Sequence, residues 1–414
     1  MDKKSKIAIS VAIGVLTAFF VLVLALGLSC TPEETATPDE VVATPGHQET
    51  ETTVPRAEQI VLSFIGDCTM ASNQGKVEQG NFMWHAQQKS HDYFFEGVYD
   101  VLSQDDVTFA NCETVLSDGN LKQKVKDHNP AFWFKAPASY ADILKLGSVE
   151  VAGVANNHTY DYGEQGCKDT LKALEAQGIL GGDDYVPVYT EVKGTKIGIV
   201  FCSLWGSYQT DEIETALKEM ENNCDYSIVY FHGGSEGTHY PDNYIIDACR
   251  YLANSGLCDL IVGAHPHVLQ PMEIVNDVPI MYSLGNFCFG GNSYPENKTA
   301  IFQATLTMQD GKIVTDTSFI PCYVYTGPRN NYQPMVITDA DDKAEILSML
   351  SEKVEKRASK PKTTATETTA KETVANTEAK PPVPQSTKPP QQDNTPTEAP
   401  ATQPAQTEAV VATQ

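Results

Sequence analysis

Six short apolar runs in the middle of this chain each stop at a side chain able to do chemistry. Gln59–Ile65 is followed by Gly66-Asp67, and Val107–Ala110 by Asn111-Cys112-Glu113. Val149–Ala155 leads into Asn156-Asn157-His158 and then Asp161. Ser227–Phe231 ends at His232, Asp259–Val262 at Gly263-Ala264-His265-Pro266-His267, and Pro279–Leu284 at Gly285-Asn286. Between several of these runs lie Pro137–Leu146, Glu164–Gln177, Thr210–Glu221 and Asp242–Ser255, which space Leu, Ile and Ala along one helical face. Strands alternating with helices predict an α/β sheet with helices on its faces. A helix that returns the chain makes the next strand parallel, by a right-handed crossover. The carboxyl ends of such strands then share one rim, where open α/β sheets place their sites. Asp67, Glu113, Asn157, His158, His232, His265 and His267 are therefore expected to converge.

Carboxylate, amide and imidazole together suit a divalent transition metal. Two such ions about 3.5–4 Å apart form the usual clamp for phosphate-ester hydrolysis. Taken singly the signals are weak. An Asp after a strand commonly serves a turn or a helix cap, and a lone His is commonly just hydrogen-bonded. His265-x-His267 says more, because on extended backbone residues i and i+2 share a face and both rings can reach one centre.

The chain carries a net charge of −25, which argues against a nucleic-acid partner, since that partner calls for a basic face. An acidic polymer handled here would have to be received by local cations or a metal. Lys135, in Phe132-Trp133-Phe134-Lys135, is a candidate, with a solvated loop lysine as the plainer reading. The ten cysteines include no CxxC pair, which disfavours a zinc knuckle. Cys68, Cys112, Cys202 and Cys288 lie in or beside apolar runs and read as buried free thiols.

Outside this middle region the composition changes. Residues 1–30 hold Lys3, Lys4 and Lys6, then an uncharged run from Ile7 to Leu28. Roughly 20 apolar residues cross a bilayer as a helix, so the run reads as a transmembrane anchor with the lysines on the cytoplasmic side. A cleaved signal peptide is the alternative, as is a lipoprotein modified at Cys30. All three place the domain outside the cytoplasmic membrane. Residues 31–57 are Thr-, Glu- and Pro-rich without an aromatic and read as a disordered linker. Residues 58–350 form one domain, and 351–414 a low-complexity Thr/Pro/Ala-rich tail.

The ordered blocks resemble a known family. Gly66-Asp67, Asn111-x-Glu113, Ala155-Asn156-Asn157-His158 with Asp161-Tyr162-Gly163, His232, Gly263-Ala264-His265-Pro266-His267-Val268 and Tyr282-Ser283-Leu284-Gly285-Asn286-Phe287 look like the CapA-type bacterial capsule synthesis proteins, including those of the poly-γ-glutamate system. The resemblance spans about residues 58–326 in the family's order. That family is similar in turn to calcineurin-like phosphoesterases, which implies an α/β fold of four layers, an αββα sandwich. It also implies roles. Asp67 would be a ligand of the first metal and Glu113 would replace a bridging Asp. Asn157, His232 and His265 would ligate the second metal, and His267 the first. His158 would be the general acid or the residue that polarises the phosphate, oriented by Asp161. One or two divalent ions (Mn, Fe or Zn) would be the cofactor. An anionic envelope polymer such as poly-γ-glutamate and membrane synthase subunits would be the partners, with hydrolysis or transfer at a phosphate ester as the activity. A non-catalytic polymer-binding assembly factor is the competing expectation. Three departures stand out: Thr69 where the phosphoesterases carry a His, one extra residue in Gly66-Asp67-Cys68-Thr69-Met70, and Gly233 where a Trp commonly follows the His.

Overall fold

The computed structural model describes residues 58–357. The expected anchor, the linker up to residue 57 and the tail beyond 357 lie outside the described residues. Among the described residues no helix is long and apolar enough to cross a membrane.

In chain order the first half comprises β1 (Gln59–Thr69), α1 (Phe82–Gln88), α2 (Tyr99–Leu102), β2 (Val107–Cys112), β3 (Val115–Leu116), β4 (Lys135–Ala136), α3 (Ala141–Leu146), β5 (Val151–Gly153), α4 (Gly163–Ala176) and β6 (Leu180–Gly182). The second half adds β7 (Pro187–Val192), β8 (Thr195–Leu204), α5 (Thr210–Met220), β9 (Tyr226–Gly233), α6 (Asn243–Ser255), β10 (Leu260–Ala264), β11 (Leu269–Val275) and β12 (Val278–Leu284). It closes with β13 (Asn286–Phe289), β14 (Thr299–Gln309), β15 (Lys312–Tyr323), β16 (Met335–Val336) and α7 (Ala340–Leu350).

The strands form two main sheets. One runs β16-β15-β14-β1-β2-β5-β6, with β13 also paired to β1, and the other runs β11-β12-β10-β9-β8-β7. Each has a parallel centre, β1-β2-β5-β6 in one and β8-β9-β10-β12 in the other, as helix-linked strands require. Antiparallel hairpins flank these centres. The turns Lys193-Gly194, Asn276-Asp277 and Asp310-Gly311 all take positive φ at both residues. That is the two-residue geometry matching strand twist, and it closes β7–β8, β11–β12 and β14–β15.

Side-chain alternation assigns the layers. Ile197, Ile199 and Phe201 of β8 share a core with Ile60, Leu62 and Phe64 of β1, so the sheets face each other. Phe64 stacks on Phe109 at 4.8 Å, and the Tyr230 hydroxyl of β9 donates to the Ile65 carbonyl of β1 at 2.6 Å. Val200 and Cys202 of β8 turn the other way, onto Ile213 and Leu217 of α5 and Ile245 and Leu252 of α6. Beyond the first sheet, Ile65, Ala110 and Ala152 meet Phe82 of α1, Leu144 of α3 and Leu174 of α4. The order is helices, sheet, sheet, helices. Residues 351–357, grouped with the tail by composition, continue the folded body: Val354 is buried, and its carbonyl accepts from Arg250 Nη2 at 2.9 Å. All nine described cysteines are free thiols, and Cys68, Cys112, Cys202 and Cys288 are buried as their apolar settings predict.

Candidate metal centre

Asp67 lies inside β1 rather than after it. The β1–β2 register slips between Ile65 and Asp67, and the β1–β13 register slips between Asp67 and Thr69. Such bulges re-aim side chains. The Asp67 amide donates to the Gly285 carbonyl at 2.9 Å. Position 66 must be glycine for that approach, because a Cβ there would stand 2.0 Å from the Gly285 oxygen. The buried Asp67 carboxylate accepts from Asn111 Nδ2 at 2.7 Å and from the His265 amide at 3.3 Å. Its Oδ2 is 3.2 Å from His267 Nδ1.

Glu113, just past β2, is wholly buried. Its Oε2 accepts from Thr69 Oγ1 at 3.1 Å, while Oε1 has no hydrogen-bond partner. That orphan oxygen is 3.8 Å from His158 Nε2 and 3.8 Å from His232 Nε2. His232 Nε2 in turn is 3.0 Å from Asn157 Oδ1 and 3.0 Å from His265 Nδ1. Donors bound to one ion at about 2.0–2.2 Å are spaced by roughly 3 to 4 Å, and these atoms are so spaced. Glu113, His265 and His267 each offer a ligand atom within 4.8 Å of the others. An unpartnered buried charge costs about 1–3 kcal/mol or more, and a cation between these groups would remove the cost. The residues present therefore fit a divalent metal.

The electrostatics agree. Burial, then the charge on Asp67, pushes the Glu113 carboxyl up. Burial, then the positive charge of His267, pulls the His265 imidazole down to about 3. Burial and its histidine neighbours hold His232 well below the usual range. His232 and His265 thus keep the neutral form that a ligand needs. At His267 burial also opposes protonation, but the charges of Glu113 and Asp67 outweigh it and lift the ring to about 9.

The backbone of His265-Pro266-His267 corrects one expectation. It is not extended: β10 ends at Ala264, and φ is +98° at His265 and +59° at His267. Two side-chain-bearing residues in the left-handed region store strain, about 1–3 kcal/mol each. The turn still brings both rings to the cluster.

The Asn-Asn pair divides its work. Asn156 braces the turn after β5, accepting from the His158 amide at 3.0 Å and donating to the Cys112 carbonyl at 3.0 Å. Asn157 faces His232. His158 Nδ1 is 2.7 Å from Asp161 Oδ2, which also accepts from the Phe134 amide at 2.8 Å. Asp161 Oδ1 pairs with Lys126 Nζ at 2.5 Å. Burial, partly offset by Asp161, lowers the basicity of His158.

Every site residue expected from the sequence thus adjoins this cluster, whereas Lys135 does not serve it. Its ammonium donates to the Gly119 carbonyl at 2.8 Å and lies over the Tyr162 ring. Four contributors carried no assigned role in the sequence. Asn111 bridges Asp67 and His232 Nδ1, and Asn286 contacts His267 Nδ1 at 2.9 Å. Both follow apolar runs, which was their signal. Lys126 comes from an irregular segment with no signal. Trp205, just past β8, packs edge-to-face with two of the rings, its centroid 4.8 Å from that of His265 and 5.8 Å from that of His232. The position after His232 has no room for a Trp, since a Cβ on Gly233 would meet the Leu204 oxygen at 2.0 Å.

Residues 61–291 match the family model described as "Bacterial capsule synthesis protein PGA_cap". A capsule biosynthesis protein CapA from Bacillus anthracis is 26% identical over 346 residues, covering 77% of this chain and 78% of its own length. A PGA biosynthesis protein CapA from Bacillus subtilis is 30% identical over 250 residues, 55% of this chain and 62% of that one. A solved structure of a hypothetical protein from Thermus thermophilus aligns over 64% of this chain and 99% of its own, at 14% identity and a TM-score of 0.41. That likeness is too loose to bear on the fold.

Proposed function

The chain belongs to the bacterial capsule synthesis protein family, and from that membership we propose that it is an extracytoplasmic, membrane-anchored protein of capsule assembly, of the poly-γ-glutamate type, acting as a metal-dependent hydrolase or transferase of phosphoesterase kind. Its partners would be an anionic envelope polymer and the membrane synthase that makes it. The observation that carries the chemistry is the orphan Glu113 oxygen among His158, His232, His265 and His267.

Asn157, His232 and His265 would hold one divalent ion, Asp67 and His267 a second, with Glu113 between them. A bound ion there supplies Lewis acidity to a phosphoryl or carbonyl oxygen and lowers the pKa of water. The chain's own residues do the rest. Asp161 takes the Nδ1 proton of His158 as a hydrogen bond and fixes the ring. The Nε2 edge is left toward Glu113, able to exchange a proton with a leaving oxygen. Phe134 packs on the His158 ring at 4.5 Å and Trp205 covers His265, so both rings are shielded from bulk water.

Thr69 supports a second reading. Its hydroxyl holds Glu113, but a neutral hydroxyl is a poor substitute for the imidazole that phosphoesterases place there. Weak metal binding at that position would leave a polymer-binding assembly factor. Turnover of chromogenic phosphomonoesters and phosphodiesters by manganese-loaded protein separates the two. The enzyme reading expects turnover that falls about 10²–10⁴-fold in His158→Gln, with metal content unchanged. Metal-loaded protein inert toward both ester classes would leave the assembly factor.

A further inference from the structure

Ser117–Phe134, between β3 and β4, has no regular secondary structure apart from one isolated bridge at Phe134. Loops of such length inside compact domains are usually functional. This one is fastened to the site rather than free above it. The Lys124 amide donates to the Asp161 carbonyl at 2.8 Å, and Trp133 Nε1 returns to the Lys124 carbonyl at 2.7 Å. Val125 is 79% exposed, yet the next side chain turns inward: Lys126 is 12% exposed and its ion-pair partner Asp161 is 0% exposed. The Lys126 ammonium reaches Asp161 Oδ1 at 2.5 Å, the Phe132 carbonyl at 2.6 Å and His158 Nδ1 at 3.5 Å.

We infer that Lys126 is a positioning residue: it clamps Asp161, and through Asp161 sets the orientation of His158, while tying the Ser117–Phe134 loop down as a wall of the site. The geometry leaves Asp161 no other way to be held on that side. Its Oδ2 is shared by His158 and the Phe134 amide, and its Oδ1 meets Lys126. With hydrogen bonds at Oδ2 and only the ion pair to Lys126 at Oδ1, the carboxylate is held in one orientation, and so is the imidazole bonded to it. Removing the ammonium frees Oδ1, releases the Phe132 carbonyl and loosens the loop that delivers the Phe134 amide. The inference rests on reading His158 as the site's proton-exchanging group.

The direct test is nuclear magnetic resonance of ¹⁵N-histidine-labelled full-length protein, stripped of metal. The Nδ1 proton shared with Asp161 should give a downfield, slowly exchanging signal, identified by its loss in His158→Gln. In Lys126→Met this proton should exchange with water at least tenfold faster or vanish, and Lys126→Arg should restore it. If Lys126→Met does not fold by circular dichroism, Lys126→Gln replaces it, with the same loss expected in smaller degree. A signal with wild-type position and exchange rate in either folded variant overturns the inference. Manganese content of parallel, metal-supplemented samples tests the underlying reading separately. Normal metal with an unmoved signal removes the role of Lys126 alone. A moved signal in protein that takes up no metal removes the metal centre and leaves the clamp.

Discussion

Glu113 brings a carboxylate into a place where only one of its oxygens finds a hydrogen bond. A fold does not gain stability from that arrangement, because the unmet oxygen has lost its water. It gains a strong acceptor beside the neutral imidazoles of His232 and His265. Glu113→Gln keeps the shape and the acceptor for Thr69 while removing the charge. It should lower metal affinity by tenfold or more and leave the melting temperature of the metal-free protein at or above wild type, measured by metal competition and calorimetry. Unchanged affinity would mean that Glu113 is not a ligand. At this scale the sequence is most legible where a polar residue directly follows an apolar run, as with Glu113 and His232. It is silent on Lys126 and Trp205, whose contacts depend on tertiary placement. It also misleads at His265-Pro266-His267, where left-handed backbone replaces the extended form that i, i+2 spacing suggests.

Among the elements, β1 has the tightest tolerance. Gly66 and Gly285 let β1 and the turn before β13 approach closely enough to aim Asp67 and Asn286 at His267. Gly66→Ala should force them apart, costing about 1–3 kcal/mol as overpacking does and weakening metal binding in the fraction that folds. A wild-type melting temperature and metal content would contradict this account of the turn. The start of β2 supplies a pH test. Burial, against hydrogen bonds from Ser63 and Thr108, raises the Asp105 carboxyl from 3.8 to about 6. Between those values the folded state holds more protons than the unfolded state, so stability falls as pH rises through the window. Asp105→Asn escapes that loss. Its melting temperature should exceed wild type above pH 6 and converge with it near pH 4. A difference independent of pH would assign the effect to lost hydrogen bonds. The helices Glu164–Gln177, Thr210–Glu221 and Asp242–Ser255 were legible within a residue or two at each end, because one apolar face dictates each. The hairpin of β14 and β15 escaped notice despite Asp310-Gly311 at its turn, since β15 is half exposed and carries a weak apolar signal.

For the molecule as a whole, two facing sheets put strand ends from both halves of the domain on one rim. Asp67 and Glu113 come from the first sheet and His232 from the second. Apolar runs alternating with helices marked six of the strands and their parallel sense, but not β8, nor the division of the strands between two sheets. That division rests on which faces meet, as Phe201 meets Gly153 so closely that a Cβ there would lie 2.0 Å from the Phe201 ring, and apolar runs buried on both faces read alike in either sheet. The central claim is that this rim was built around a metal ion. Elemental analysis of the purified protein beside the His265→Ala/His267→Ala variant tests it most directly. Near-stoichiometric manganese, iron or zinc in the wild type, lost in the variant while circular dichroism shows the fold intact, is the expected result. No metal in the wild type, even after incubation with each ion, would contradict it.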